Sequence, residues 1–102
     1  MEFLILGYDG EDEDALNRRL AVREKHIALS DEAIKKNEQI FGVALLNENG
    51  KMKGSAMVVD FPSRADLDEW LKKEPYVVGN VWQKIDIIPC KIGPSFQHVR
   101  KP

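Results

Sequence analysis

Four polar residues on one predicted helix are the candidates for chemistry in this chain. Arg19, Arg23, His26 and Ser30 stand at i, i+4, i+7 and i+11. At about 100° per residue they line up between two apolar stripes, Leu16–Leu20–Ile27–Ile34 on one side and Ala15–Val22–Leu29–Ala33 on the other. The charged residues Arg18, Glu24, Lys25, Asp31, Glu32, Lys35 and Lys36 occupy the opposite arc. The seam is therefore expected to point inward, where an unpaired charge costs several kcal/mol, on the order of 3–5. It needs partners: carboxylates from the sheet or second helix, backbone oxygens, water or an anionic ligand.

His26 is the natural proton carrier, because only imidazole has an ordinary pKa near neutrality. A carboxylate beside it would fix its tautomer. Glu74 is the first choice, at the end of the second helix, with Asp60 and Asp86 as alternatives. Arg19 or Arg23 could hold a carboxylate or enolate oxygen. Tyr76 could exchange a hydrogen bond, Ser55 could line the sheet side, and Trp82 could be either core or ligand platform. Each has a blander alternative, since an inward arginine often closes a structural ion pair and its stem packs along apolar surface. Trp70 reads as core, Ser55 lacks the Gly-x-Ser-x-Gly surroundings of a nucleophile, and Cys90 has no activator nearby.

The elements that must position these residues follow from local patterning. Phe3–Leu6 is a short apolar run expected to be a strand buried on both faces. Asp12 or Asp14 could cap a helix from Ala15 to Lys36, with Asn37 as its stop. Ile40–Leu46 is a second strand and Asn47–Gly50 a hairpin turn, with positive φ expected at the Asn-Gly pair. Gly54–Phe61 returns as the third strand, with Ser55, Met57, Val59 and Phe61 on one side. Ser63 is an N-cap with Asp66 three residues on, opening a short helix striped by Leu67, Trp70 and Leu71 that must end by Glu74, ahead of Pro75. Trp82–Ile88 is the last strand, and Pro89 marks its end, an edge or a bulge.

The order β-α-β-β-α-β predicts an α+β, ferredoxin-like sandwich, one domain over residues 1–92 with a surface tail over 93–102 carrying His98, Arg100 and Lys101. Two helices cover one sheet face. Phe41, Val43, Met57, Val59, Ile85 and Ile87 exceed what that layer can bury, which predicts a homodimer through the sheet face.

Composition narrows the function classes. The 102 residues carry a formal charge of −2, with 43% hydrophobic and 31% charged residues, which disfavours nucleic-acid binding, membrane residence and disorder. One cysteine and two histidines argue against an intrachain disulfide and a metal site, and no cofactor motif is present, Gly7–Gly10 matching no phosphate-cradling loop. With no targeting segment visible, a cytoplasmic location is expected.

The segment Arg18-Arg19-Leu20-Ala21-Val22-Arg23-Glu24-Lys25-His26 resembles the R-x-x-H helix segment of the YciI-like (YCII-related) family. Gly54-Ser55 opening the third strand, Glu74-Pro75-Tyr76 where that family usually has Asp-Pro-Tyr, and Ile87-Ile88-Pro89 extend the resemblance from Phe3 to about Ile92. The family's Gly-Pro-Leu-like stretch is replaced by Val43–Asn47. The resemblance implies a dimeric α+β barrel with a His–carboxylate site that maps to His26 and Glu74. It also implies isomerisation, elimination or dehydrochlorination of small molecules derived from aromatic compounds. The expectation is general acid–base chemistry on a small anionic molecule, the alternative a non-catalytic ligand-binding or regulatory module on the same seam.

Overall fold

The computed structural model describes residues 1–99, so Arg100 and Lys101 lie outside the described residues. The elements are β1 (Glu2–Asp9), α1 (Ala15–Lys35), β2 (Gln39–Leu46), β3 (Met52–Asp60), α2 (Arg64–Leu71), α3 (Pro75–Val78) and β4 (Trp82–Cys90), followed by a 3-10 turn over Pro94–Val99. The strands form one antiparallel sheet in the order β2-β3-β1-β4, the ferredoxin-like arrangement expected from the chain order.

β1 is central but not buried on both faces as expected. Phe3, Ile5 and Asp9 are buried beneath the helices, while Leu4, Leu6 and Tyr8 are only half-buried on the far side. Strict period-2 alternation explains the pattern, since only one face meets helices. Register also corrects the list of surplus apolar residues. Met57 and Ile87 both pair with Ile5, Val59 pairs with Phe3 and Ile85 with Gly7, so all four face the helices. Phe41 and Val43 lie on the open face, opposite Val58 and Ala56.

The core joins Phe3, Ile5, Met57 and Val59 to Phe61, Leu67, Trp70, Leu71, Tyr76 and Val81. Fully burying one such side chain contributes about 1.5–3 kcal/mol. Trp70 is core, as its spacing implies, with its ring centroid 5.6 Å from that of Phe61. Ser63 caps α2 by accepting from the Asp66 N–H, as expected.

Other local expectations change. Neither Asp12 nor Asp14 caps α1 through its side chain: Asp14 holds the cap position without a side-chain bond, and Asp12 is engaged by Arg18. In the hairpin the positive φ falls on Gly50 alone, at +77°, because the Asn47 side chain already ties down the Asn49 and Lys51 N–H groups. The turn α3 went unforeseen. Pro75 stops α2 but also suits the first position of a new helix, and Glu74 caps it by accepting from the Tyr76 N–H at 2.8 Å. Pro89 lies within β4, on the edge strand of the sheet, where a missing donor is tolerated. Among the described residues no helix is long and apolar enough to cross a membrane.

Candidate active site

α1 buries only one of its two apolar stripes. Ala33 is buried and Val22 and Leu29 pack on the core, whereas Leu20, Ile27 and Ile34 remain exposed. The helix meets β2 at Gln39, which is buried, but leaves Gly42 and Ala44 further along that strand exposed. Towards the helix β2 presents Gln39, Gly42 and Ala44, opposite Val59, Met57 and Ser55. The small side chains at Gly42 and Ala44 leave a groove of about 240 Å³ between α1 and the sheet. An apolar cavity near 150 Å³ already holds benzene, so there is room for a single-ring molecule. Arg19, Arg23, His26 and Ser30 all line it. A roomier cleft of about 700 Å³ runs between the β1–α1 loop and the β2–β3 hairpin. Its lining includes Glu11, Asp12, Glu13, Lys51 and Lys53 but no histidine, so it is a weaker setting for proton transfer.

His26 and Glu74 come together across 48 residues of chain. His26 Nδ1 lies 2.9 and 3.0 Å from the two carboxylate oxygens, and Glu74 is fully buried. The glutamate's extra methylene thus still reaches the imidazole, because α3 sets the carboxylate at its own N-terminus. A carboxylate on Nδ1 holds the hydrogen there and leaves Nε2 with a free lone pair. Tyr76 stacks on the imidazole, centroids 3.9 Å apart and planes 14° from parallel, and Trp82 meets the same ring edge-on at 6.3 Å. Asp60 and Asp86, the alternative carboxylates, pair with Glu2 and Leu6 and so point to the opposite side of the sheet.

The two arginines diverge. Arg19 is buried; its Nη1 donates to both oxygens of Asp9 at 3.0 and 3.1 Å, and its Nη2 donates to Ser55 Oγ at 2.7 Å. Its guanidinium carbon also sits 4.5 Å from the Tyr76 ring centre. Arg19 is therefore no free oxyanion holder. Arg23 is exposed rather than fully inward, because the groove beside it is open, and no ion pair holds it among the described residues. Burial pushes the Asp9 carboxyl above its ordinary pKa against the opposing pull of Arg19. Burial likewise raises the Tyr76 phenol, against the pull of Arg19 and Arg23.

Asp9 and Gln39 escaped the sequence reading. Alternation from Phe3 and Ile5 does place Asp9 on the buried face, and Gly7 between them bears no side chain because a Cβ would overlap the Trp82 ring. Gln39 is buried at the groove with its Oε1 unpartnered, and nothing local marks it. Ser55 lines the groove from the sheet side, whereas Trp82, left open between core and ligand platform, is buried in the core, its Nε1 donating to Ser55 Oγ at 3.3 Å. Cys90 is exposed, with its thiol pKa raised by burial of the sulfur's surroundings and then by Glu2.

Comparison with known proteins bears on this geometry. The YCII-related domain model matches residues 1–91. No curated protein is a significant sequence match. Among solved structures the chain resembles a 5-chloro-2-hydroxyhydroquinone dehydrochlorinase from Burkholderia phenoliruptrix, solved in complex with 2,5-dihydroxybenzoquinone. The TM-score is 0.78 at 19% identity, covering 93% of this chain and 98% of that one. At that identity the likeness establishes the shared fold.

Proposed function

Because the chain belongs to the YCII-related domain family, we propose that the groove carries out proton transfer on a small oxygen-bearing ring compound. The observation that carries this reading is His26 on the wall of an open groove with the buried Glu74 carboxylate behind it. The dehydrochlorinase with the same fold acts on a hydroxylated, chlorinated ring, which supports the choice of substrate class.

In the loss of HCl from a chlorinated hydroquinone, one hydroxyl becomes a carbonyl as its proton moves to the chlorine-bearing ring carbon, and His26 Nε2 then takes the proton of another hydroxyl. That O–H electron pair becomes a new carbonyl π bond, the ring π pair shifts to the chlorine-bearing carbon, and chloride departs with its own bonding pair. The imidazolium is stabilised by Glu74 and then releases its proton to solvent. In an isomerisation the same proton goes to a ring carbon. Arg23, unpaired at the groove, balances the charge of an anionic substrate or enolate. Tyr76 and Trp82 hold the imidazole plane by stacking and edge contact.

The test is turnover of 5-chloro-2-hydroxyhydroquinone, followed by chloride release. His26→Ala is expected to lower the rate by about 10²–10⁴-fold with the fold intact, the usual weight of a general base. Unchanged turnover in that variant removes His26 from the chemistry. Saturable binding without conversion by the unmodified protein favours a ligand-binding module instead.

We also propose that two copies pair through the open sheet face. Phe41, Val43 and Ile88 are exposed there, too many large apolar residues for a face left in water. Sedimentation of Val43→Asp at a concentration where the unmodified chain dimerises is expected to give the monomer mass.

A further inference from the structure

Ser55 carries one hydroxyl hydrogen and two lone pairs. Arg19 Nη2 and Trp82 Nε1 both donate to its oxygen, at 2.7 and 3.3 Å. Guanidinium and indole nitrogens only donate, so both lone pairs are occupied and the polarity of the hydroxyl cannot reverse. Among the described residues its hydrogen meets no acceptor. Ser55 is 4% exposed, and it borders the groove that also holds His26. A buried hydroxyl with two incoming donors and an unplaced hydrogen is incomplete without an acceptor from outside the chain.

We infer that Ser55 is a one-way hydrogen-bond donor to an oxygen atom of the bound molecule, with Arg19 and Asp9 as the positioning residues that hold it so. The inference rests on the function proposed above and names the chemistry the groove recognises: a carbonyl or phenolate oxygen on the side of the ring facing β3. The cationic guanidinium behind the hydroxyl polarises it and strengthens the donor. Asp9, in turn, fixes the guanidinium through both carboxylate oxygens. The same arrangement disqualifies Ser55 as a nucleophile, since its lone pairs are occupied and no base accepts its proton. An N–H group of a ligand placed there finds no acceptor.

The probe is 2,5-dihydroxybenzoquinone, titrated by its visible absorption, with the carbonyl stretch of the bound quinone read by difference infrared spectroscopy. Ser55→Ala is expected to weaken binding about tenfold to a hundredfold, the range of a hydrogen bond to a charged group. It also returns the carbonyl band towards the free-quinone frequency. Ser55→Thr, which keeps the hydroxyl, restores both readings. Arg19→Lys, which keeps the charge facing Asp9 but loses the fork, shifts the band part of the way back. A purely structural role for Arg19 leaves that band where the unmodified protein has it.

Unchanged affinity and an unchanged band in Ser55→Ala overturn the assignment, whatever His26→Ala does to turnover. Unchanged turnover in His26→Ala overturns the catalytic reading and leaves the Ser55 donor standing on its own titration. No saturable binding by the unmodified protein overturns both. Should Ser55→Ala fail to fold, the unmodified protein decides alone, because a bound carbonyl at the free-quinone frequency refutes the donor.

Discussion

Arg18 and Arg19 are neighbours on α1, and each grips an aspartate from the chain just before the helix, yet the two pairs behave in opposite ways. Arg18 holds Asp12 through two nitrogens at 2.8 and 2.6 Å on the surface. Arg19 holds Asp9 at 3.0 and 3.1 Å in the interior. The side-chain hydrogen bond from Arg18 brings the Asp12 carboxyl down to about 2. Burial drives the Asp9 carboxyl up, despite a guanidinium within hydrogen-bond distance. The residue types are the same, at separations of 6 and 10 residues; solvent decides the sign. The surface pair is an ordinary ion pair, whereas the buried pair carries a desolvation cost that a stability argument alone does not justify. Its return is geometric, in the fixed orientation of Ser55 and the packing of the guanidinium on Tyr76.

Breaking each pair from the arginine side exposes the contrast most strongly. Arg19→Ala leaves Asp9 buried without a countercharge and is expected to destabilise the fold by about 3–5 kcal/mol in urea unfolding. Arg18→Ala is expected to leave the urea midpoint close to that of the unmodified protein. Equal losses in the two variants would erase the distinction between the buried and the surface pair.

Tyr76 extends the contrast, since burial outweighs two nearby guanidiniums there as well. Its pKa is raised on folding, so the stability it contributes is present below the ordinary tyrosine value and is lost as pH rises through the folded value. Ultraviolet titration of the phenolates should show a late phase that Tyr76→Phe removes, together with part of the loss of stability at alkaline pH.

At the acid end the two aspartates pull in opposite directions. Asp12, with its pKa lowered on folding, contributes stability that is present above its ordinary value of 3.8 and lost as pH falls towards about 2. Asp9, with its pKa raised, retains a proton in the folded chain that the unfolded chain releases above 3.8, so acidification through that window favours the fold. Asp12→Asn should therefore flatten the acid limb of the stability profile. The smallest effect expected is that of salt: raising ionic strength should bring Asp12→Asn and the unmodified protein together, because exposed pairs are screened. A double-mutant cycle on Arg19 and Asp9 should move little in the same salt series.

Much of the fold was legible locally. Alternation in Ser55–Phe61, the Ser63 cap, the Gly50 turn and the length of α1 are each set within a few residues, where steric and hydrogen-bond preferences act directly, whereas the apolar run Phe3–Leu6 did not reveal that only one of its faces is fully covered. The polar seam was legible for the same reason, because helical periodicity is local. It was less legible that Leu20, Ile27 and Ile34 would stay exposed. An apolar stripe announces that it suits burial, not that the sheet beneath it ends in the small residues Gly42 and Ala44. Asp9 and Gln39 were missed because a strand-end carboxylate or amide looks alike whether it meets water or a helix.

The sequence by itself determined the order of the four strands and the two longer helices, the side of α1 that bears arginine and histidine, and the candidate pairing of His26 with Glu74. Only the tertiary structure decided which partner each polar group receives. Asp9 goes to Arg19 and Asp12 to Arg18; Ser55 takes two donors from residues 36 and 27 positions away; and Asp60 and Asp86 turn to the other face. The physical reason is range. Backbone periodicity acts over a few residues, whereas burial and charge pairing depend on which distant surfaces meet and on how much water they exclude.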